Sequence, residues 1–449
     1  MARLLVGSVM RSVSDDTCRV ACPVTRSTVA TRAALARTAL ARAALVLAAL
    51  ALVACAPSER APTAPPTPVD STPTTPPPST DTPTLERTVV ATGLANPWDL
   101  AFAADGTLFF TERCRGLSVR RADGSITRLF GTTGAGTVAD DLFCLGQSGM
   151  LGVALDPAFA DTRTLFVFFA SNRRTSPRTN RVARLVLDAG FTRVLERTDI
   201  VTDIAFKDAG TANGGAGAHS GGRIRFGPDG HLYIATGDNH DGPLPQHPTR
   251  LGGKVLRVTR DGAAAPGNNA PVGFDARIYG YGFRNVQGLA FRPGSGQPFI
   301  GEHGPNHSDE VTPLVAGGNG GWDPQNRPAL NCPAGYCGYA GNATTMSMTD
   351  TVRFPSALRP SWRNNGASQG MGPITFLTGA SWQAWNGRLL VGIMGGQRLE
   401  LLTLDAAGMA TANQRVELPA ARYRSLVLAP DGALWIATDS GELWRVVPR

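Results

Sequence analysis

The sequence predicts an all-β fold, a six-bladed β-propeller, on three observations. One pattern recurs six times: an apolar run, a turn rich in Asp, Pro and Gly, and a second apolar run. Several copies are followed by another alternating strand and a second turn, as in Leu117–Gly124 and Lys254–Gly262. The chain also has 52 glycines and 33 prolines, which suits many turns and little helix. Radial repetition of small sheets is typical of propellers.

Each copy reads as two short strands joined by a tight turn. The six copies are Leu100–Glu112, Leu151–Ala170, Arg223–Asp238, Gly288–Gly304, Pro373–Gly392 and Ser425–Asp439. Their spacing is uneven, which predicts insertions that carry function between the blades. The alternative, a β-sandwich, needs two continuous sheets and does not explain six copies of one hairpin.

Composition limits the function classes. The 449 residues, 42% hydrophobic and 17% charged, are enough for a large buried core. The net charge of +8 suggests nucleic acid as one possible partner. In the body of the chain, however, the arginines are scattered among apolar runs, at most two in a row, with no longer basic run and no nucleic-acid motif. We therefore expect no nucleic-acid partner.

Residues 1–55 read as an export signal. Three arginines between residues 32 and 42 precede the apolar stretch Ala43–Ala54, which is too short to span a bilayer comfortably and is followed by Cys55. This order resembles the lipobox of bacterial lipoproteins; the alternative is an ordinary signal peptide that ends in Cys. We expect translation to start downstream of Met1, and the mature protein to be exported and lipid-anchored to the cell envelope, in the periplasm or at the cell surface.

Residues 56–84 are almost entirely Pro, Thr, Ser and Ala. Such a stretch has nothing to bury, so we expect a disordered tether. The folded domain then occupies residues 85–449.

Four cysteines fall in that domain: Cys114, Cys144, Cys332 and Cys337. An even number in an exported protein favours two disulfides, and four cysteines allow three pairings. Proximity along the chain suggests Cys114–Cys144 and Cys332–Cys337. A metal site is the alternative, but no histidine cluster accompanies these cysteines.

His219 is an isolated histidine in a glycine-rich loop directly before a predicted strand. Glycines let the backbone approach a ligand closely, and a neutral imidazole is a natural general base. The competing interpretation is a histidine on a surface loop with no catalytic role.

Two further segments place arginines in loops. Arg284 and Asn285 precede a predicted strand; they offer a planar fork for carboxylates and an amide, or they hold the loop backbone together. Arg422 and Arg424 are two residues apart in an extended segment, which places both side chains on the same side. These segments predict a patch that favours anions.

The segment Gly301–Glu310 predicts a calcium site. Asp309 and Glu310 offer carboxylates, and a turn exposes the carbonyls of Gly304 and Pro305. Such hard oxygens are the ligands that calcium prefers, although the spacing is not that of an EF-hand.

Together these segments resemble the glucose/sorbosone dehydrogenase family, soluble quinoproteins that bind pyrroloquinoline quinone (PQQ) and calcium on a six-bladed propeller. The resemblance covers about Val89–Val447, and Gly146–Pro157 is similar to the first-blade signature of that family. It implies oxidation of an aldose to a lactone by hydride transfer to a calcium-bound quinone.

The resemblance also implies roles for individual residues. His219 would be the general base and Gln147 would contact the sugar. The quinone would be bound by Arg284, Asn285, Arg422 and Arg424, and calcium by the Gly304 and Pro305 carbonyls, with Asp309 and Glu310 near a calcium ion. The sequence has no Cys-x-x-Cys-His haem-attachment motif, so we expect electrons to leave to a separate acceptor.

Two positions depart from the family pattern. Gly395 stands where the family commonly has a cofactor-binding lysine, and Ala218 precedes the histidine where a polar residue is common. These departures leave two alternatives open: a calcium-dependent propeller hydrolase of the lactonase kind, and a non-catalytic binding propeller at the cell surface.

Overall fold

The computed structural model describes residues 80–208, 214–327, 332, 335–339 and 346–449, and these form six sheets of four or five strands. The chain enters through β1 (Leu85–Ala91), which joins the last sheet. The first blade contains β2 (Pro97–Phe102), β3 (Leu108–Glu112), β4 (Gly116–Arg120), β5 (Ile126–Gly131) and β6 (Thr137–Val138). The second contains β7 (Met150–Leu155), β8 (Thr164–Ser171), β9 (Thr179–Leu187) and β10 (Val194–Ile204). The third contains β11 (Gly221–Phe226), β12 (Leu232–Thr236), β13 (Lys254–Val258) and β14 (Ile278–Tyr281), with β18 (Gly318–Asn319) at its edge.

The remaining blades repeat the same plan. The fourth contains β15 (Val286–Phe291), β16 (Pro298–Glu302), β17 (Glu310–Pro313) and β19 (Trp362–Arg363). The fifth contains β20 (Met371–Phe376), β21 (Leu389–Ile393), β22 (Arg398–Leu404) and β23 (Ala410–Val416). The sixth contains β24 (Tyr423–Leu428), β25 (Leu434–Thr438) and β26 (Leu443–Pro448). The helical segments include α1 (Phe159–Thr162) and two short 3-10 segments, Leu244–Gln246 and Ala380–Trp385.

The first strands of the six blades form a closed ring. β2 packs on β7, and the contacts continue through β11, β15, β20 and β24 back to β2. β1 pairs antiparallel with β26, so both ends of the domain share the sixth blade. This arrangement is the predicted six-bladed propeller, and the pairing of β1 with β26 closes the ring between the two ends of the domain.

The Asp-Gly turns form the hairpins that the repeat predicts. Gly106 and Gly230 have φ angles of +86° and +74°, a region that side chains rarely adopt. The Asp side chains accept hydrogen bonds from backbone N–H groups two residues on, at 2.9 Å for Asp105 and 3.1 Å for Asp229.

A buried charge cluster ties the inner strands together. Asp99 on β2 is fully buried and accepts from Arg225 on β11, at 2.7 and 2.8 Å, and from Ser425 on β24 at 2.9 Å. Burial raises the pKa of Asp99, but the charges of Arg223 and Arg225 outweigh this effect and lower the pKa overall. A buried carboxylate this well paired is stable as an anion.

Both suggested disulfides are present, Cys114–Cys144 and Cys332–Cys337. The export signal and Cys55 lie outside the described residues, as does the tether up to residue 79. Across the ranges that the structure describes, none of the helices is both long and apolar enough to cross a membrane.

The segment between β17 and β19 departs from the simple repeat. It leaves the fourth blade, adds β18 to the third blade in parallel with β14, and returns to pair β19 with β17. On this path it carries Trp322 and the Cys332–Cys337 disulfide. The predicted insertion is therefore shared between two blades.

Candidate functional site

The predicted site residues lie at one end of the ring. His219, Asn285 and Arg422 each come just before the first strand of a blade, whereas Gly304 follows the second strand of the fourth blade. First and second strands are antiparallel, so the start of one and the end of the other lie together. The propeller thus gathers loops that are distant in sequence.

His219 is paired with an aspartate that follows β12. His219 has a φ of +51° and is buried, and its Nδ1 lies 2.6 Å from Oδ1 of Asp238. The two loops approach closely at Gly237, where a Cβ would lie 2.1 Å from the carbonyl oxygen of His219. A carboxylate only accepts hydrogen bonds, so Nδ1 carries the proton and Nε2 carries the lone pair.

The surroundings of His219 keep its imidazole neutral. Burial lowers its pKa well below the usual range, and electrostatic interactions with Arg284, His303 and Lys207 lower it further. A neutral ring with a free Nε2 lone pair is the form that a general base requires.

Asp238 is fully buried and its second oxygen is also bound. Its Oδ2 accepts from Trp322 Nε1 and from the Tyr336 hydroxyl, both at 2.8 Å. None of these three residues is among the site residues that the sequence predicts. A signal for Asp238 was present, because it closes the third copy of the repeat as Asp439 closes the sixth.

A second histidine packs on the first. The rings of His240 and His219 have centroids 3.7 Å apart, and His240 Nε2 lies 3.0 Å from the Tyr339 hydroxyl. Burial, followed by the electrostatic interaction with His219, lowers the pKa of His240 to about 3. His240 is therefore neutral near pH 7 and covers one face of the His219 ring.

Arg284 is a buried cation held by carbonyl and hydroxyl oxygens. Its guanidinium donates to the carbonyls of His303 and Gly304, at 2.7 and 2.8 Å, and to the Tyr339 hydroxyl at 2.9 Å. No salt bridge joins it to an acidic side chain among the described residues, and its Nε is buried without a hydrogen bond there. Burial lowers the pKa of Arg284, but Tyr336, Tyr339 and Asp238 outweigh this effect, so the side chain stays charged.

Asn285 connects the third and fourth blades. Its Oδ1 accepts from the Gly221 amide at 3.3 Å and from Gln287 at 3.1 Å. Asn285 also forms a β-bridge with Gly237. It lies beside the loop of His219, as expected for a shared site, and it also holds backbone together.

The structure brings Arg422 and Arg424 together on one carboxylate. Asp439 accepts from Arg422 Nε at 2.9 Å and from Arg424 at 2.7 Å through both of its oxygens. One anion is thus shared by two cations, which leaves a positive patch at this end of the sixth blade.

Asp309 faces hydrogen-bond donors. Its two oxygens accept from Gly304 N at 2.9 Å, Ser368 Oγ at 2.7 Å, Gln369 N at 2.7 Å and Asn364 Nδ2 at 2.9 Å. This carboxylate fixes the Gly304 loop to the start of the fifth blade. Within the described ranges, no group of three or more His, Cys, Asp and Glu side chains is placed to hold a metal ion.

Both carboxylate oxygens of Glu310 also have protein partners. Its Oε2 accepts from Thr349 at 2.9 Å, and its Oε1 forms an ion pair with Arg363 Nε at 3.1 Å. Burial raises the pKa of Glu310 to about 7, against the opposing effect of Arg363. A guanidinium therefore balances this carboxylate, and the assignment of Asp309 and Glu310 to a calcium site stays a prediction.

Gln147 has an exposed side chain beside the histidine loop. Its backbone N–H donates to the carbonyl of Ala216 at 2.9 Å, which fixes this turn next to the glycine-rich segment. The position is compatible with contact to a ligand at His219.

A cavity of about 340 Å³ opens at the same end of the ring. It is lined by His303, Ser368, Gln369, Gly370, Met394, Gly395, Gly396 and Arg422. Burial, followed by the charge of Arg284, lowers the pKa of His303 to about 4. The size is that of a small cofactor pocket, and its charged lining group is a cation.

Gly395 lies in a tight turn that excludes a larger residue. A Cβ there would lie 2.5 Å from the Gln369 carbonyl oxygen. The flanking amides of Met394 and Gly396 donate to the carbonyls of Gly370 and Gln369, at 2.7 and 2.9 Å. A side chain at position 395, where the family lysine was expected, would therefore require this turn to shift.

This chain is similar to known proteins over most of its length. A model of the Glucose / Sorbosone dehydrogenase family matches residues 94–445. Aldose sugar dehydrogenase YliI of Escherichia coli is 27% identical over 374 residues, 82% of this chain and 94% of that protein. Quinoprotein glucose dehydrogenase B of Acinetobacter calcoaceticus is 30% identical over 264 residues, 53% of this chain and 52% of that protein.

Solved structures extend the similarity. The PQQ-bound aldose sugar dehydrogenase of Streptomyces coelicolor is 26% identical, with a TM-score of 0.62 over 82% of this chain and all of that one. A putative glucose dehydrogenase of Thermus thermophilus is 30% identical, with a TM-score of 0.64 over 81% of this chain and all of that one.

Proposed function

Because the chain belongs to the glucose/sorbosone dehydrogenase family, we propose that it oxidises an aldose to a lactone with PQQ as cofactor and His219 as general base. The relatives are sugar dehydrogenases, and the chain is accordingly an oxidoreductase of this general type. The substrate class, the cofactor and the residue roles are the proposal.

The main support for this proposal is the buried positive charge of Arg284. This guanidinium is 1% exposed, stays charged, and has no carboxylate salt bridge among the residues that the structure describes. An unpaired buried charge is costly, so the site is completed by an anionic ligand. A tricarboxylate quinone is such a ligand, and Arg guanidinium groups bind carboxylates with particular strength.

His219 and Asp238 supply the acid–base chemistry. The Nε2 lone pair takes the proton of the sugar hydroxyl, and the carboxylate of Asp238 stabilises the positive ring that forms. The 2.6 Å contact fixes the tautomer that leaves Nε2 free. Gln147, on the neighbouring turn, would orient the sugar.

Three arginines and one asparagine are suited to bind the cofactor. When bound, the quinone supplies a two-electron oxidant that the side chains of the protein cannot provide. Arg284 and Asn285 would hold it at the third and fourth blades. Arg422 and Arg424 would meet its carboxylates, because two cations there share the single carboxylate of Asp439.

For calcium, the protein offers only a few ligands. The carbonyls of Gly304 and Pro305 would hold the ion, and one of them already accepts from Arg284. Calcium takes six to eight oxygen ligands, so the others would come from the cofactor and from water. A metal bound only together with the cofactor is the expected result.

We further propose that the protein is exported and lipid-anchored through Cys55, with electrons passing to a separate acceptor. A Cys55→Ala variant, which lacks the residue to be lipidated, is then expected in the soluble fraction after export. If that variant stays in the membrane fraction with the same processed length, the anchor is elsewhere.

The test is reconstitution of the purified chain with PQQ and calcium, followed by a panel of aldoses with an artificial electron acceptor. We expect oxidation that requires the quinone, and a His219→Gln variant slower by about 100-fold or more. His231→Gln is the matched control, because His231 lies in the β11–β12 turn at the opposite end of the same blade. Oxidation without quinone, or equal rates in both variants, would overturn the proposal.

A further inference from the structure

The Asp238 carboxylate is held by more than its histidine. Its Oδ1 faces His219 and also accepts from the His240 amide at 3.0 Å. Its Oδ2 accepts from Trp322 Nε1 and from the Tyr336 hydroxyl. Both donors come from the insertion between β17 and β19, which no predicted catalytic role includes.

Tyr336 is fixed by its own surroundings. Its side chain is buried and lies in an apolar cluster with Trp322 and the Cys332–Cys337 disulfide. Its backbone forms a β-bridge with Gln325, and the next amide donates to the Pro324 carbonyl at 2.8 Å. Packing, the disulfide and backbone hydrogen bonds therefore hold the Tyr336 hydroxyl against Asp238.

We propose that Tyr336, together with Trp322, is a positioning residue that orients the Asp238 carboxylate toward His219. The inference rests on the proposed function, and it assigns to the insertion a role in catalysis. A carboxylate with donors on one oxygen only can rotate, whereas one bound on both sides keeps Oδ1 in line with Nδ1.

The hydrogen bond from Tyr336 to Asp238 also affects the pKa of His219. Donors on Oδ2 stabilise the anion and reduce its pull on the His219 proton. The other titratable groups that face His219 are the cations Arg284 and Lys207 and the imidazoles of His303 and His240, and a change at Tyr336 leaves these groups in place. Loss of one donor makes Asp238 more basic, so the pKa of His219 rises and the acid limb of activity moves to higher pH.

The experiment compares Tyr336→Phe with Tyr233→Phe in the reconstituted holoenzyme. Tyr233 is an apt control because it is also a buried residue whose hydroxyl donates to an aspartate, Asp229 at 3.0 Å, in another part of the third blade. For Tyr336→Phe we expect kcat to fall by about 10-fold or more, the effect of one hydrogen bond to a charged group. We also expect the apparent pKa of the acid limb of the kcat/KM profile to increase by roughly half a pH unit or more. The control should change neither value.

Tyr336 also lies close enough to Arg284 to raise its pKa, so quinone affinity is measured alongside. A variant that loses quinone affinity while keeping its pH profile would overturn the inference in favour of a role at Arg284. An unchanged kcat would also overturn it.

A second readout does not depend on sugar oxidation. Imidazole NMR titration of the full chain, with His219→Gln to assign the ring, reports the His219 pKa directly. We expect a higher pKa in Tyr336→Phe than in the parent and in Tyr233→Phe. If the parent oxidises no aldose, the proposed function fails, and an unshifted titration is the separate result that sinks the positioning role.

Discussion

Replacing Asp238 by Asn tests the acid–base pair with almost no change of shape. In the protein, Asp238 is fully buried and only accepts hydrogen bonds, from His219, His240, Trp322 and Tyr336. An amide has one acceptor oxygen and one donor group, so it cannot satisfy all four donors.

Each orientation of the amide fails in a different way. With the NH₂ toward His219, Nδ1 must accept, the ring proton moves to Nε2, and the base is lost. The His240 amide then also loses its acceptor. With the NH₂ toward Trp322 and Tyr336, three donors meet and the indole and hydroxyl lose their acceptor. The first orientation keeps more hydrogen bonds, so we expect the wrong tautomer to dominate.

The expected loss is large in turnover and moderate in stability. A comparable change in the histidine–aspartate pair of a serine protease costs on the order of 10,000-fold in kcat, about 5.5 kcal/mol. Unfolding free energy should fall by about 1–3 kcal/mol, the cost of one buried polar group left unsatisfied.

The assay is steady-state aldose oxidation by the reconstituted Asp238→Asn protein, with urea unfolding and quinone titration in parallel. Quinone affinity should stay close to that of the parent, because Asp238 is not among the proposed cofactor ligands. A folded variant that keeps more than about a tenth of the parental kcat would refute the tautomer argument.

Three further changes probe other parts of the molecule. His219→Gln should retain the fold and the quinone but lose about 100-fold or more in kcat, measured at saturating sugar. Asp141→Asn should lower the unfolding free energy by roughly 2 kcal/mol at pH 7. Although burial raises the pKa of Asp141, hydrogen bonds from Arg197 and Ser171 lower it to about 2. The resulting stabilisation is complete above the pKa of the unfolded chain, near 3.8, and is lost as the pH falls toward 2. Urea unfolding at several pH values would show this loss. Gly395→Ala should lower the melting temperature, because the new methyl group meets a carbonyl oxygen at 2.5 Å; an unchanged value would mean that the turn relaxes freely.

The fold was predictable because short stretches of the sequence specify its repeating hairpins. Asp-Gly turns and alternating apolar runs specify hairpins within each copy, and six copies close only as a ring. The disulfides followed from short sequence separations of 30 and 5 residues. The path of the insertion onto the third blade was not predictable, because β18 has two residues and its pairing with β14 is non-local.

The sequence predicts candidate site residues where one loop carries the signal, but not the contacts that form where several loops meet. His219 and Arg284 stand out as polar residues before a strand. The partners of Asp238 come from a distant segment, so no local pattern joins Tyr336 to it. Likewise, no local pattern indicates that Arg363 balances Glu310, because that contact depends on how β19 returns to β17.

The most direct test of the central claim is an anaerobic absorbance measurement on the chain loaded with PQQ and calcium. The parent should retain the quinone after gel filtration, and addition of an aldose should bleach the absorbance of the oxidised cofactor. His219→Gln should retain the quinone equally and bleach about 100-fold more slowly or slower still. A parent that retains no quinone, or a variant that bleaches as fast as the parent, would contradict quinone-dependent oxidation with His219 as the base.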